Sequence, residues 1–339
     1  MKKFLILIFA VLISVLTACS GNGGKPADTA SDSAAETGTA ATETSETDAE
    51  TAPGKPEGTP VKVIMIAGQS NAVGYAYDNF NARSQEYDAE RIDRIRAGFD
   101  SVKIRFSNNA LEDASSGVQF GPYANTEFEP VTFNQGCRSP FDGFQSIGPE
   151  VGLAEYLAGQ YPDETFYIVK CATSGSNLSD RWNPDNIFSK NNLYRQMVEF
   201  TTEALGKLEE QGLAPEIIAF CWMQGESDAQ ENYADRYADT FENMINTFKK
   251  DLSRYIPENG MAVVDAGITD KWPNYNDLNA AKQGFADLSN KRFFFGTNDL
   301  TLGNDNMHYS NYAQLTLGNR FGEGVAQAIA LLDQPEVID

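Results

Sequence analysis

The chain has 339 residues, with 26 Lys and Arg against 48 Asp and Glu, four Cys and a single His. A formal net charge of −22 excludes binding to a nucleic-acid backbone, which needs a basic face to release counterions. One His and few Cys cannot assemble the usual zinc sites, and no metal or organic cofactor is expected.

The first 19 residues read as a leader outside the fold. Lys2 and Lys3 precede an apolar run from Phe4 to Leu16. That run is shorter than the roughly 20 residues a membrane-spanning helix needs, and suits a secretory signal. It ends in Leu16-Thr17-Ala18-Cys19, which resembles the bacterial lipobox. The resemblance implies cleavage before Cys19, lipidation of its thiol, and an extracytoplasmic protein held on a membrane of the cell envelope. An ordinary signal peptide with an incidental Cys19 is the alternative. Residues 20–60 hold no aromatic and no Ile, Leu or Met, and eight acids stand there against Lys25 and Lys55. Such a stretch cannot bury enough apolar surface to offset its ordering entropy, so a disordered acidic tether is expected. Residues 61–339 then form the folded domain. Its Cys137, Cys171 and Cys221 lack C-x-x-C spacing and, being odd in number, allow at most one bridge. Cys171 and Cys221 end apolar runs, where a free Cys acts as a small hydrophobe.

From residue 61, short apolar runs alternate with helical periodicity. Val61–Ala67, Val102–Phe106, Thr165–Cys171, Glu216–Met223, Met261–Gly267 and Arg292–Gly296 read as strands. Helices are expected from Pro149 to Gly159, where Pro sits at the first position, and along Leu193, Met197, Thr201, Ala204 and Leu208. Two more follow Tyr233, Tyr237, Phe241, Met244, Ile245 and Phe248, and run from Asn311 to Leu332. This alternation predicts a parallel sheet covered on both faces. The aperiodic stretch 108–146 carries Phe120, Tyr123, Phe128, Phe133, Phe141 and Phe144, and is expected to be an ordered loop packed over the domain.

In an open α/β sheet, ligands bind beyond the carboxyl ends of the strands, and four such segments stand out. Gly68-Gln69-Ser70-Asn71 follows the first strand and would expose the Ser70 hydroxyl on a tight turn; a purely structural turn is the other reading. Asp305-Asn306-Met307-His308 precedes the last helix and contains the chain's only His. A serine nucleophile near neutral pH needs such a base, and an Asp three residues earlier can orient it. Ser174-Gly175-Ser176-Asn177 could present the Gly175 N–H to an oxyanion, and the Gln224 amide could add another donor. Glu226 and Asp228 could instead form a glycosidase-type acid pair, which two residues of spacing do not establish.

These segments, in this order and rough spacing, resemble the SGNH hydrolase superfamily. More narrowly, the chain is similar to the sialate O-acetylesterase and acetylxylan esterase branch, which includes carbohydrate esterase family six. Ile147-Gly148-Pro149-Glu150 and Trp182 also fit that branch, and the likeness spans about residues 62–330. The resemblance implies a three-layer α/β/α sandwich with a flavodoxin-like parallel sheet of about five strands. It implies Ser70 as nucleophile, His308 as general base and Asp305 as its orienting acid. The Ser70 and Gly175 N–H groups and the Gln224 side chain would form the oxyanion hole, supported by Gln69, Asn71 and Glu226. The wider superfamily has Asn where this chain has Gln224. The implied activity is removal of acetyl esters from carbohydrates, such as acetylxylan or O-acetylated sialic acid, with Trp182 a candidate sugar platform. The alternatives are a non-catalytic glycan-binding lipoprotein on the same fold, or an esterase acting on acyl lipids or O-acetylated peptidoglycan.

Overall fold

All six apolar runs expected as strands form, and they pair with one another. The computed structural model describes residues 54–109, 123–137, 146–186 and 191–332. The leader, Cys19, the tether up to residue 53, and Phe120, Phe141 and Phe144 lie outside the described residues. The strands are β1 (Thr59–Gly68), β2 (Ala76–Tyr77), β3 (Phe99–Asn108), β4 (Tyr123–Ala124), β5 (Glu129–Val131), β6 (Ser146–Ile147), β7 (Phe166–Ala172), β8 (Leu213–Met223), β9 (Ala262–Ala266) and β10 (Arg292–Phe295). The helices are α1 (Ser70–Val73), α2 (Ala89–Ala97), α3 (Pro149–Gln160), α4 (Leu193–Glu209), α5 (Glu226–Gln230), α6 (Ala234–Asp251), α7 (Tyr275–Phe285) and α8 (Asn311–Leu332).

The main sheet runs β10-β9-β8-β1-β7-β3, all parallel, with β4 and β5 antiparallel on β3. The parallel part has six strands, in keeping with the parallel sheet of about five that was expected. Strand β7 lies between β1 and β3, which a flavodoxin order would place side by side. Helices cover both faces. Met65 of β1 meets Thr201 of α4, whereas Val264 of β9 packs under Gly324 of α8. Every residue from Val63 to Gly68 is consequently buried, as expected for a central parallel strand.

Two features of this topology build the site. The chain leaves β1 toward the β3 edge but returns through β7 to β8 on the opposite side, so the connections diverge around β1. The register also levels the strand ends, because Gly68 pairs with Ala172 of β7 and with Met223 of β8. Segments 69–71, 173–177 and 224–228 thus emerge next to one another. Gly68 has a φ of +141°, and a Cβ there would sit 2.0 Å from the Met223 carbonyl oxygen. Only glycine lets the chain turn out of β1 while touching β8 this closely.

Helices α2 and α7 are absent from the sequence-based expectation. In α2 only Ile92 and Ile95 are buried, too few for a readable stripe, although Asp88 caps it by accepting from the Arg91 N–H. In α7 the buried positions are Leu278, Lys282 and Phe285, so a lysine occupies an apolar slot. The stretch 108–146 contributes β4, β5 and the start of β6. Phe128 packs edge-on against Tyr167, and Phe133 is buried beside Phe80. Cys137, Cys171 and Cys221 are all buried.

Candidate active site

The Ser70 turn is local in origin. Strand β1 ends at Gly68, and α1 begins at once with Ser70, its first turn closed by Ala72 and Val73 N–H donating to the Gln69 carbonyl. A residue at the first position of a helix keeps its backbone N–H free of intrahelical partners. The α1 helix stops at Gly74, and Tyr75 and β2 follow.

The histidine turn is a tight loop between β10 and α8. Gly303 N–H donates to the His308 carbonyl at 2.7 Å and Ser310 N–H to the Thr301 carbonyl at 2.9 Å. Asn306 takes a left-handed φ of +53° at the tip. Asp305 folds back, as its spacing predicted. Its Oδ1 accepts from the Met307 and His308 N–H groups at 3.0 Å each, and its Oδ2 lies 2.7 Å from His308 Nδ1. Partial burial pushes this carboxyl up, but the bonds from His308 and Met307 together outweigh it and hold Asp305 below its ordinary value. With Nδ1 held by a carboxylate, Nε2 is the nitrogen left to take a proton.

Asn71 joins the two turns. Its Oδ1 accepts from the Tyr309 N–H at 3.0 Å, and its Nδ2 donates to Glu226 Oε1 at 2.8 Å. Gln314 of α8 adds a bond to the Asn71 carbonyl at 3.2 Å. Because Asn71 is the residue after Ser70 and Tyr309 the residue after His308, this clamp ties together the turns that carry the expected nucleophile and base. Tyr75 completes it: its ring stacks on His308 at 4.4 Å between centroids, and its hydroxyl lies 2.7 Å from Ser174 Oγ. Nothing in the sequence marked Tyr75, since a tyrosine after a four-residue helix carries no motif or periodicity.

The third segment supplies an exposed backbone donor. Gly175 has a φ of +62°, and open space surrounds the position a Cβ would take. Among the described residues its N–H has no recorded acceptor. The loop is held from below, because Ser176 Oγ donates to the Thr173 carbonyl at 2.6 Å and accepts from Trp182 Nε1 at 2.8 Å. Trp182 is therefore no sugar platform. It is buried, edge-on to Trp222 at 5.3 Å, and acts as a prop for the Gly175 loop.

Gln224 also differs from expectation. Its Nε2 faces Gln69 Oε1 at 3.1 Å, the Ser176 carbonyl at 3.0 Å and Asp228 Oδ2 at 2.6 Å, while its Oε1 accepts from Tyr237 at 2.9 Å. Two amide protons among three buried acceptors leave none to donate into the cleft. Gln224 is a buried junction joining the β1, β7 and β8 turns. Gln69 belongs to the same junction, since its Oε1 also takes the Ser227 N–H at 3.3 Å. The acid-pair alternative fails on placement. Asp228 is buried and spends its oxygens on the Leu178 and Ser179 N–H groups and the Ser179 hydroxyl. Glu226 is buried under Asn71, and that burial pushes its carboxyl above the ordinary value.

Two buried ion pairs brace this assembly. Lys170 of β7 donates to Glu150 Oε2 at 2.6 Å, to the Val73 carbonyl at the end of α1 at 2.9 Å and to the Gln135 carbonyl at 3.1 Å. Lys282 lies 2.8 Å from Asp265 and donates to the Gln224 carbonyl at 2.6 Å. Burial pushes the Asp265 carboxyl up to about 6 against the pull of Lys282. Among the described residues, no group of three or more His, Cys, Asp or Glu is placed to hold a metal ion.

The family model described as carbohydrate esterase, sialic acid-specific acetylesterase matches residues 60–327. No curated protein sequence matches the chain. Among solved structures, an Arabidopsis thaliana protein aligns with a TM-score of 0.55 at 20% identity, over 79% of this chain and 98% of its own. NanS aligns with a TM-score of 0.55 at 19% identity, over 81% and 99%. A carbohydrate acetylesterase from Xanthomonas citri aligns with a TM-score of 0.50 at 14% identity, over 78% of this chain and 56% of its own. At these identities the structural likenesses show a shared fold.

The assembled site predicts a specific pH response. Asp305 titrates below the usual carboxylate value of about 3.9, so it stays ionised wherever an imidazole changes charge. Asp305 should therefore add no acid limb of its own to the pH profile of kcat/KM above about pH 4. Asp305→Asn should lower kcat by about 10³–10⁴-fold, as loss of the orienting carboxylate does in serine hydrolases. An Asp305→Asn enzyme within tenfold of the parent would refute this assignment. Because the family model covers most of the chain and the fold agrees with it, the protein belongs to the sialic acid-specific acetylesterase family of carbohydrate esterases.

Proposed function

We propose that the protein is a carbohydrate O-acetylesterase working through an acetyl-enzyme on Ser70. The observation that carries this reading is the pair of tied turns: His308 Nδ1 on Asp305 at 2.7 Å, and Tyr309 N–H on Asn71, next to Ser70, at 3.0 Å. Ser70 Oγ attacks the acetyl carbonyl carbon while its proton passes to His308 Nε2. The carbonyl oxygen becomes an oxyanion held by the Ser70 and Gly175 N–H groups. The intermediate collapses, the bond to the sugar oxygen breaks, and His308 returns its proton to that oxygen. Water then attacks the acetyl-serine, His308 takes its proton, and acetate leaves as Ser70 is reprotonated. Family membership and a carbohydrate acetylesterase among the neighbours of like fold support acetylated glycans as substrate.

Acetate release from acetylated xylan and from O-acetylated sialic acid, assayed side by side, tests the reading. Release from at least one glycan is expected, with Ser70→Ala lowering kcat by at least about 10³-fold. Folded protein that releases acetate from neither would overturn it.

We further propose that the chain is held at the envelope through lipid on Cys19, with residues 20–60 as tether. Labelling of cells with a tagged fatty acid should mark the protein and fail to mark Cys19→Ala. Equal labelling of both would remove the anchor.

A further inference from the structure

The backbone around Tyr75 is fixed on both sides. Gly74 takes a φ of +90°, and a Cβ there would sit 2.2 Å from the Gly148 Cα, so only glycine lets the two chains pass this closely. The Gly74 carbonyl accepts from the Cys137 N–H at 2.7 Å, and Ala76 and Tyr77 pair with Ile147 and Ser146. A half-buried phenol is thereby held between two of the turns that carry the site. On one side its ring lies 13° from the plane of the His308 imidazole, at 4.4 Å between centroids. On the other its hydroxyl lies 2.7 Å from Ser174 Oγ, one residue before the exposed Gly175. Ser174 is also held by its own N–H, which donates to Asn109 Oδ1 at 3.0 Å. Burial pushes the Tyr75 phenol well above its ordinary value, so at neutral pH it is an uncharged O–H.

Resting on the esterase reading above, we infer that Tyr75 is a positioning residue that sets the base and an oxyanion donor with one side chain. Its ring fixes the plane of the His308 imidazole, and its hydroxyl fixes Ser174 and with it the Gly175 N–H. Both groups need such a restraint. The Asp305 bond holds His308 at Nδ1 alone, and Asp305 is itself half exposed on its loop. The Asn71 bond acts on the backbone after His308 and leaves the imidazole torsion free. A flat ring against one imidazole face supplies the missing restraint. Gly175 has a left-handed φ and open space around its Cβ position, so packing at that residue does not aim its N–H. His308 and the oxyanion donors serve both formation and hydrolysis of the acetyl-enzyme, so loosening them slows the two steps together. A misplacement of about 1 Å can cost a hundredfold in rate.

The test measures kcat, KM and melting temperature with p-nitrophenyl acetate as substrate. It uses the full chain as parent, Ser70→Ala, Tyr75→Leu, Tyr75→Phe, Ser174→Ala and the Tyr75→Phe/Ser174→Ala pair. Tyr75→Leu loses both contacts and should lower kcat at least about thirtyfold, with KM within about twofold of the parent. Tyr75→Phe keeps the stack and should lower kcat only about three- to tenfold. Ser174→Ala should match it, and the pair should fall no further than either single variant, since both remove one bond. Tyr75→Phe preserves the ring volume and carries the test if Tyr75→Leu does not fold. A folded Tyr75→Phe or Tyr75→Leu within twofold of the parent would overturn the proposal and leave the esterase standing. So would losses that multiply in the pair, or a raised KM with kcat intact. A parent no faster than Ser70→Ala would overturn the esterase reading and this role with it.

Discussion

The structure depends most on one side chain that does no chemistry. Asn71 sits between the β1 turn and the loop before α8, turns separated by more than 230 residues of chain. From the β1 turn its amide accepts from Tyr309 in the loop before α8 and donates to Glu226 after β8, so a slip of either neighbour breaks a buried hydrogen bond. An unpaired buried polar group costs about 1–3 kcal/mol, enough to hold a geometry that a loop alone would not keep. Holding matters because attack on an ester needs near-contact alignment, where a displacement of about 1 Å can cost a hundredfold in rate. The carboxylate beneath it, Glu226, is buried and pushed toward its neutral form, so the clamp is anchored in a low-dielectric layer.

That layer extends through Gln224, Gln69 and Asp228 and rests on two lysines. Burying a charge is expensive unless a partner and further bonds satisfy it. Lys170 meets both conditions with one carboxylate and two carbonyls, and Lys282 with one carboxylate and the Gln224 carbonyl. Each lysine grips the end of a segment that carries the site: the end of α1 in one case, the start of the β8 turn in the other. An apolar replacement could be as stable yet would take a hydrogen bond from each of these carbonyls and leave that of Val73 without its lysine donor. The polar floor thus does for the site what close packing does for the rest of the core.

Much of this was legible in the sequence because the relevant signals are local. Apolar runs and i+3/i+4 stripes located the six parallel strands and the four longest helices. Asp305-x-x-His308 read correctly because one turn is enough to bring Asp305 back onto the imidazole. The errors came where tertiary contacts decide. Gln224 looked like a donor pointing into a cleft, and only the positions of Gln69, Ser176 and Asp228 show that its protons are taken. Trp182 looked like a sugar platform because aromatic faces serve both binding and packing, and only its contact with Trp222 distinguishes them. Helix α7 stayed hidden because a buried Lys282 broke the apolar pattern, although that lysine is one of the two braces. Tyr75 had no signal, since stacking on His308 joins residues far apart in sequence.

The single histidine makes the central claim directly measurable. Histidine-selective ¹⁵N NMR would report one imidazole with no overlap, in the parent and in Asn71→Ala. The account predicts a parent ring protonated on Nδ1 with a far-downfield proton from the Asp305 bond. It predicts that Asn71→Ala loses or broadens this signal while keeping the melting temperature of a folded domain. An Asn71→Ala spectrum identical to the parent, with activity on a small acetate ester intact, would contradict the claim that this side chain holds nucleophile and base together.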